Sequence, residues 1–267
     1  MTRCFSILLT ILAYTVLSTG FVLMKKGIAW IGYKGEKDKT YYRNLFTWIS
    51  GFLLINIYIV PNTVALRYLG THIVSSMAGW GVVFMIFLSH AVLKEKLYST
   101  DFIYSAFILI STIFLNLYEN QEGEVTVNIA LLTIMASLPF FLFVPVFINS
   151  ISKRIKTIIY AAISGISTGM IIVTIKVLVS LRGFHVASYF SSPYLYLYLL
   201  FSLTAFISLQ VAYKKGVMML VGPVQYSAAI IYPVLCSYLV FSNRIHFVQL
   251  AAISAIVYSV IAILKKH

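Results

Sequence analysis

The residues of this sequence that could bind a small molecule or ion are polar side chains inside long apolar stretches. Most carry neutral amide or hydroxyl groups, and one is a lysine. The set comprises Asn56, Asn62, Ser75, Ser76, Thr174, Lys176, Gln210, Tyr213 and Gln225. A single neutral polar residue in an apolar helix more often joins two helices than binds a ligand. Amides and hydroxyls from several helices can together surround a small solute, so we treat the set as a candidate solute path.

Lys176 lies within an apolar stretch, and two interpretations of it stay open. Its long side chain can reach the nearer end of the stretch, which would place the ammonium group among lipid headgroups. Alternatively it faces a water-filled cavity, where charged residues mark solute paths or proton relays. In the second case Lys176 would repel a divalent cation and attract an anionic or zwitterionic metabolite.

The acidic residues all lie in loops or at the ends of the apolar stretches. They are Glu36, Asp38, Glu95, Asp101, Glu119, Glu122 and Glu124. Mg²⁺ prefers oxygen ligands and usually one or two carboxylates, so we expect no carboxylate metal site inside the stretches, and the metal ligands stay unknown. The five histidines are scattered, and no phosphate-binding glycine loop occurs. We therefore expect no catalytic residue, no cofactor and no enzymatic activity.

The elements that must position these side chains are nine apolar stretches, each near or above the ~20 residues with which an α-helix crosses a bilayer. They run over 4–24, 45–66, 71–93, 99–118, 126–149, 157–181, 194–213, 217–242 and 246–264. With 61% hydrophobic and 10% charged residues, the chain cannot cover a soluble globule with polar surface. The predicted fold is all-α, a polytopic integral membrane protein with nine transmembrane helices.

The basic residues predict the orientation of these helices. Most of the 20 Lys and Arg residues fall into alternate gaps between the stretches. The basic gaps contain Lys25, Lys26, Lys34, Lys37, Lys39, Arg43, Lys94, Lys96, Lys153, Arg154, Lys156, Lys214 and Lys215, and the C-terminus adds Lys265 and Lys266. Because cationic loops stay in the cytoplasm, the N-terminus is predicted to lie outside and the C-terminus inside. The net charge of +13 is thereby explained without a nucleic-acid partner.

Two segments of the sequence resemble each other, which predicts an internal duplication. Residues 65–97 and 212–245 each hold a polar or basic start, an apolar stretch with small residues, and a polar end. The predicted division is a first repeat over 1–118 with four spans, an acidic joint over 119–125 outside the cytoplasm, and a second repeat over 126–267 with five spans. The two repeats would face opposite ways across the membrane, an architecture typical of secondary transporters.

Short motifs carry a resemblance to a known family. They are Phe21-Val22-Leu23-Met24-Lys25-Lys26-Gly27, the 42–51 segment with Trp48, Lys94-Glu95-Lys96-Leu97 and Gln210-Val211-Ala212-Tyr213. The third motif stands where the drug/metabolite transporter superfamily has a Gly-Glu-Arg-Leu-like signature. Within that superfamily the chain most closely resembles the NIPA-type magnesium transporters. The resemblance implies a secondary transporter that moves Mg²⁺ or another divalent cation by alternating access between the two repeats.

The chain departs from that family in its polar residues, which keeps alternatives open. Ile59 stands where the family has an intramembrane Glu a few residues before an Asn, here Asn62. Ala212 replaces an Asn, and Gly222-Pro223 replaces an Asn-Thr pair. The alternative is a carrier or exporter of a small anionic or zwitterionic metabolite, with Lys176 as its charge partner. A second alternative is a non-transporting membrane receptor or scaffold.

The expected partners follow from this interpretation. They are a small solute or ion, with Mg²⁺ first, and the lipid bilayer, while a homodimer stays open. The expected location is a membrane that the chain crosses several times, and the cell membrane is favoured.

Overall fold

The computed structural model describes residues 3–31, 33, 38–58, 60–61, 78–117, 128–182, 186–240 and 246–266. All regular elements in these ranges are helical. The α-helices are α1 (Arg3–Gly27), α2 (Lys39–Ile57), α3 (Ala78–Leu93), α4 (Ser99–Leu117), α5 (Ile129–Phe141), α6 (Lys153–Arg182), α7 (Val186–Tyr189), α8 (Pro193–Lys215), α9 (Met218–Val240) and α10 (Phe247–Lys266). Short 3₁₀ helices follow α1 (Ile28–Trp30) and α5 (Val144–Phe147).

The helices begin and end where local chemistry favours it. Asp38 caps α2, because its carboxylate accepts a hydrogen bond from the Tyr41 backbone N–H at 2.8 Å. Asn128 caps α5 in the same way, through a 3.1 Å bond from the Leu131 backbone N–H. The basic pair Lys25 and Lys26 lies in the last turn of α1, where cations complement the helix dipole.

Six helical segments within the described residues are long and apolar enough to cross a membrane. They are Cys4–Trp30, Ile129–Phe147, Lys153–Ile175, Pro193–Lys215, Met218–Val240 and Phe247–Lys266. Two shorter apolar helices, Ala78–Leu93 and Ser99–Phe114, accompany them. The all-helical fold is thus confirmed, and the long apolar helices indicate a multi-pass membrane protein. The nine-span count, the inverted repeat, the orientation and the kind of membrane stay predictions.

Contacts divide the chain into two compact units. The first comprises Met1–Glu119, Gly216–Pro223 and Val248–His267, and the second comprises Asn120–Lys215 and Val224–Phe247. This division describes packing within each unit and does not test the predicted repeats over 1–118 and 126–267.

Glycines bring α1 and α2 into close contact in the first unit. A β-carbon at Gly51 would lie 2.6 Å from both the Gly20 carbonyl oxygen and the Met24 backbone nitrogen. Only a residue without a side chain fits there, as at other close helix contacts in membranes. The hydroxyl of Ser18 also donates a 2.8 Å hydrogen bond to the Gly81 carbonyl, which joins α1 to α3.

The second unit has an apolar core contributed by α5, α6, α8 and α9. Its buried members are Leu132, Met135, Met170, Val173, Val177, Phe201, Tyr232, Cys236 and Val240. Side-chain hydrogen bonds link the described helices of this unit. Tyr232 donates its hydroxyl to the Met135 carbonyl at 2.6 Å, and Ser164 donates to the Ala205 carbonyl at 2.9 Å.

Candidate functional site

Four of the candidate path residues are buried in the second unit. Thr174 lies on α6, Gln210 and Tyr213 lie on α8, and Gln225 lies on α9. Their exposed fractions are 2%, 8%, 1% and 5% in that order. Polar side chains on three helices are therefore withdrawn from lipid, as a solute path would require.

Local contacts limit what two of the predicted residues contribute. The hydroxyl of Thr174 donates to the Met170 carbonyl at 2.6 Å, which is the ordinary bond of a threonine to the preceding helical turn. Asn56, on α2 of the first unit, is exposed, and its side-chain amide donates to the Phe52 carbonyl at 2.8 Å. Both side chains thus form a hydrogen bond within their own helices.

The remaining predicted residues lie outside the described part of the chain. Asn62, Ser75 and Ser76 fall between residues 61 and 78. The backbone of Lys176 belongs to α6, but its side chain is not among those described. The predicted convergence of Asn62, Ser75 and Ser76 with Gln210 and Gln225 therefore stays a prediction, as do both interpretations of Lys176.

Three serines that sequence reasoning did not single out stand apart from the other hydroxyl residues of the second unit. Ser167 on α6, Ser208 on α8 and Ser227 on α9 are 0%, 1% and 4% exposed. Their hydroxyl oxygens have no hydrogen-bond partner among the described residues. A buried hydroxyl without a partner costs about 1–3 kcal/mol, so natural proteins rarely keep one without a reason. Sequence could not reveal them, because whether a serine bonds to its own helix depends on its rotamer.

The described carboxylates all act at helix N-termini. Asp38 caps α2, and Asp101 accepts a 2.9 Å hydrogen bond from the Tyr98 backbone N–H just before α4. Glu95 caps α9 from a distant part of the sequence. Within the described residues no three or more His, Cys, Asp or Glu side chains come together as a metal site.

Glu95 spans two backbone N–H groups with its two carboxylate oxygens. The Met218 N–H donates to Oε1 at 2.7 Å, and the Met219 N–H donates to Oε2 at 2.9 Å. These are the first two residues of α9, whose N–H groups have no partner within the helix. The preceding residue, Val217, has no polar side chain that could cap them, so Glu95 supplies the cap from another part of the first unit.

Lys25 binds the other side of the same turn. Its ammonium group donates a hydrogen bond to the Gly216 carbonyl oxygen, directly after the last residue of α8. A cation at a helix C-terminus and an anion at a helix N-terminus are each stabilised by the helix dipole. We call this arrangement of Lys25, Glu95 and the backbone of residues 216–219 the elbow clasp. In it, each charged side chain faces the helix end of opposite partial charge.

The turn that presents Glu95 has an unusual backbone. Lys94, the first residue after α3, has a φ of 58°, and it is the one non-glycine residue with positive φ in the described chain. This left-handed conformation suits glycine and costs other residues roughly 1 kcal/mol or more. The next residue is further fixed by a 2.8 Å contact between His90 Nδ1 and the Glu95 carbonyl oxygen.

The C-terminus of α10 lies near the same turn of the first unit. The Lys266 ammonium donates to the Thr100 hydroxyl at 2.7 Å and lies 5.7 Å from the centre of the Tyr98 ring. In the second unit, the start of α5 meets the end of α9, because the Asn128 N–H donates to the Val240 carbonyl at 2.9 Å. In these examples, a segment beside one basic-rich gap of the sequence contacts a segment beside another basic-rich gap. Likewise, a segment beside one basic-poor gap contacts a segment beside another basic-poor gap.

In comparisons with known proteins, no family model, no curated protein and no solved structure matches the chain.

Proposed function

We propose that this protein is a secondary transporter of the drug/metabolite-transporter type, which moves a small polar solute through its helical bundle by alternating access. The observation that carries the proposal is the burial of Ser167, Ser208 and Ser227 without partners among the described residues. Each hydroxyl lies on a different helix of the second unit. A passing solute that forms hydrogen bonds would supply the missing partners, whereas a receptor or scaffold has no need of them.

The contacts between the helix ends support the predicted alternation of loops between the two sides of the membrane. Lys25, Glu95 and Gly216 belong to three gaps that the charge pattern assigns to the cytoplasm, and they meet in the elbow clasp. Asn128 and Val240 border two gaps assigned to the opposite side. With nine spans, four in the first repeat and five in the second, every one of these contacts joins loops on the same side of the membrane. An outside N-terminus and a cytoplasmic C-terminus belong to this proposal.

The cargo favoured by the described residues is a small anionic or zwitterionic metabolite. Asp38, Glu95 and Asp101 each accept backbone N–H groups at a helix N-terminus, so a cation would compete with bonds that these carboxylates already make. The groups buried in the second unit are neutral amides and hydroxyls, which suit a metabolite better than a dehydrated Mg²⁺ ion. Lys176 is the proposed charge partner of such a metabolite.

A divalent cation is the second candidate cargo, and the resemblance of the motifs at Lys25 and Glu95 to those of NIPA-type transporters favours it. A hydrated Mg²⁺ ion could pass hydroxyl and amide groups without losing its water shell. The two cargoes differ in their response to Lys176→Ala. That change should leave cation transport intact or improved, because it removes a repulsive charge, and should abolish transport of a carboxylate or phosphate compound.

The test is a flux assay with the purified full-length protein in liposomes. One set of vesicles contains a Mg²⁺-sensitive dye, and a second set is loaded with mixed carboxylate and phosphate metabolites for exchange with labelled external solute. Protein-dependent exchange that Lys176→Ala abolishes would support the metabolite carrier. Mg²⁺ entry that survives Lys176→Ala would favour the cation transporter instead. No flux of either kind, with protein shown to be folded, would contradict transport and favour a receptor or scaffold.

A further inference from the structure

The elbow clasp joins distant parts of the first unit through charged side chains and backbone atoms. Glu95 takes up the first two N–H groups of α9, and Lys25 takes up the Gly216 carbonyl. Because Val217 offers no side-chain acceptor, the first turn of α9 depends on Glu95 for its hydrogen bonds. The clasp therefore fixes where α9 begins.

The residues that follow the clasp are packed tightly in the same unit. Val221 is fully buried, and a β-carbon at Gly222 would meet the end of the Met85 side chain on α3. Without its cap, the first turn of α9 would open more often, and each opening would bring these buried residues briefly into contact with solvent. Loss of Glu95 should thus expose the start of α9 locally, while the rest of the unit keeps its own contacts.

The charges around Glu95 argue that it holds the helix and does not bind a transported cation. A cation beside its carboxylate would lie near the Lys25 ammonium and the positive end of the α9 dipole, and both would repel it. The hydrogen bonds that Glu95 accepts are assisted by its negative charge, and such bonds are about twice as strong as neutral ones. A neutral glutamine at this position keeps the size of the side chain and loses that advantage.

We infer that Glu95 and Lys25 are positioning residues: they hold the first turn of α9, the helix that carries Gln225, and transport depends on them although neither side chain touches the solute. The statement that transport depends on Glu95 and Lys25 rests on the proposed function, whereas their positioning of α9 does not. The positioning of α9 can be measured without any transported solute.

The first experiment measures local opening of the first unit in the full-length protein. Native Cys4 and Cys236 are replaced by Cys4→Ser and Cys236→Ala, and a single cysteine is introduced by Val221→Cys in α9 or by Val260→Cys in α10. Both valines are buried, so the second variant is a matched control. The rate of reaction with N-ethylmaleimide is followed by mass spectrometry. Glu95→Gln should raise the rate at position 221 by about tenfold or more, which corresponds to loss of roughly one charge-assisted hydrogen bond.

The rate at position 260 should stay unchanged in the Glu95→Gln protein. An equal rise at both positions would mean that Glu95 supports the whole fold, and no rise at position 221 would mean that α9 does not need it. Either result would overturn the inference. Lys25→Met should act in the same direction as Glu95→Gln. Lys26→Met is its control, because Lys26 is the exposed neighbour of the same type.

The second experiment separates positioning from solute binding by transport kinetics in liposomes. Glu95→Gln should lower the maximal rate by about tenfold and leave the KM unchanged, because it removes a charge-assisted bond that holds α9 without removing a solute contact. A raised KM at an unchanged maximal rate would show that Glu95 contacts the solute and would overturn the inference. If the wild-type protein moves no solute, the proposed function fails, and the cysteine reactivities still decide whether the clasp positions α9.

Discussion

Glu95 and Met218 are 123 residues apart in the chain, and a 2.7 Å hydrogen bond joins the carboxylate of the first to the backbone N–H of the second. The loop between α3 and α4 thereby supplies the N-terminal cap of α9. Lys25, at the end of α1, completes the arrangement through the Gly216 carbonyl. Side chains from the end of α1 and from the α3–α4 loop thus meet at one turn of the backbone.

Lys94→Gly is expected to stabilise the protein. Lys94 has a φ of 58°, a conformation that glycine adopts without strain. Release of this strain should outweigh the greater freedom of glycine in the unfolded chain and raise the unfolding free energy by up to about 1 kcal/mol. Thermal unfolding in detergent measures the change. Lys96 is exposed and has an ordinary φ, so Lys96→Gly should lower the unfolding free energy slightly. An equal change in unfolding free energy for the two variants would refute the strain argument.

Ser167→Ala and Ser164→Ala should have opposite effects on stability. Ser164 donates a hydrogen bond to the Ala205 carbonyl, so its replacement should lower the unfolding free energy by about 1 kcal/mol. The Ser167 hydroxyl has no partner among the described residues, so alanine should leave stability unchanged or raise it. If Ser167 lines the solute path, its alanine variant should nevertheless transport more slowly. A Ser167→Ala protein that is less stable than wild type would show that the hydroxyl has a structural partner.

Two glycine-to-alanine changes should differ because of what their new methyl groups meet. At Gly51 the β-carbon would lie 2.6 Å from backbone atoms of Gly20 and Met24, which cannot move without separating α1 from α2. Gly51→Ala should therefore lower stability by about 2 kcal/mol. At Gly222 the methyl group meets only the flexible end of Met85, so Gly222→Ala should cost less than about 1 kcal/mol. Thermal unfolding of the two variants side by side tests the difference, and similar losses would contradict it.

The start of α2 should loosen in acid. The backbone N–H of Tyr41 donates to Asp38 and holds the pKa of that carboxyl below its ordinary value. Because the pKa is lower in the folded state, the stabilisation is fully present above the ordinary value of about 4 and is lost as the pH falls through the folded value. Hydrogen exchange of the first-turn amides of α2, corrected for the intrinsic effect of pH, should rise in that window. Asparagine at position 38 can still cap the helix but cannot titrate, so Asp38→Asn should abolish the acid-dependent rise in exchange rate. If the rise persists in this variant, another group causes it.

The sequence anticipated the helices better than the contacts between them. The apolar stretch over 194–213 matches α8 (Pro193–Lys215), and the one over 157–181 lies within α6 (Lys153–Arg182), because long apolar runs bounded by charges leave few alternatives. The bond between Glu95 and Met218 could not be foreseen, since nothing local marks a carboxylate as the cap of a helix so far along the chain.

The candidate site was foreseen only in part. Their place in apolar stretches marks Gln210 and Gln225 as candidates for burial, and both are buried. Thr174 follows the same pattern, yet its hydroxyl donates a hydrogen bond within its own helix. Ser167, Ser208 and Ser227, whose hydroxyls have no partner among the described residues, could not be singled out from the sequence, because residue type does not reveal the side-chain rotamer.

Transport by this protein is tested most directly by solute flux into liposomes that contain the purified protein, with Ser167→Ala and Ser164→Ala measured beside the wild type. We predict saturable, protein-dependent exchange of a small carboxylate or phosphate metabolite, slowed by Ser167→Ala beyond any effect on the amount of folded protein and abolished by Lys176→Ala. Folded wild-type protein that exchanges no metabolite and admits no Mg²⁺ would contradict it.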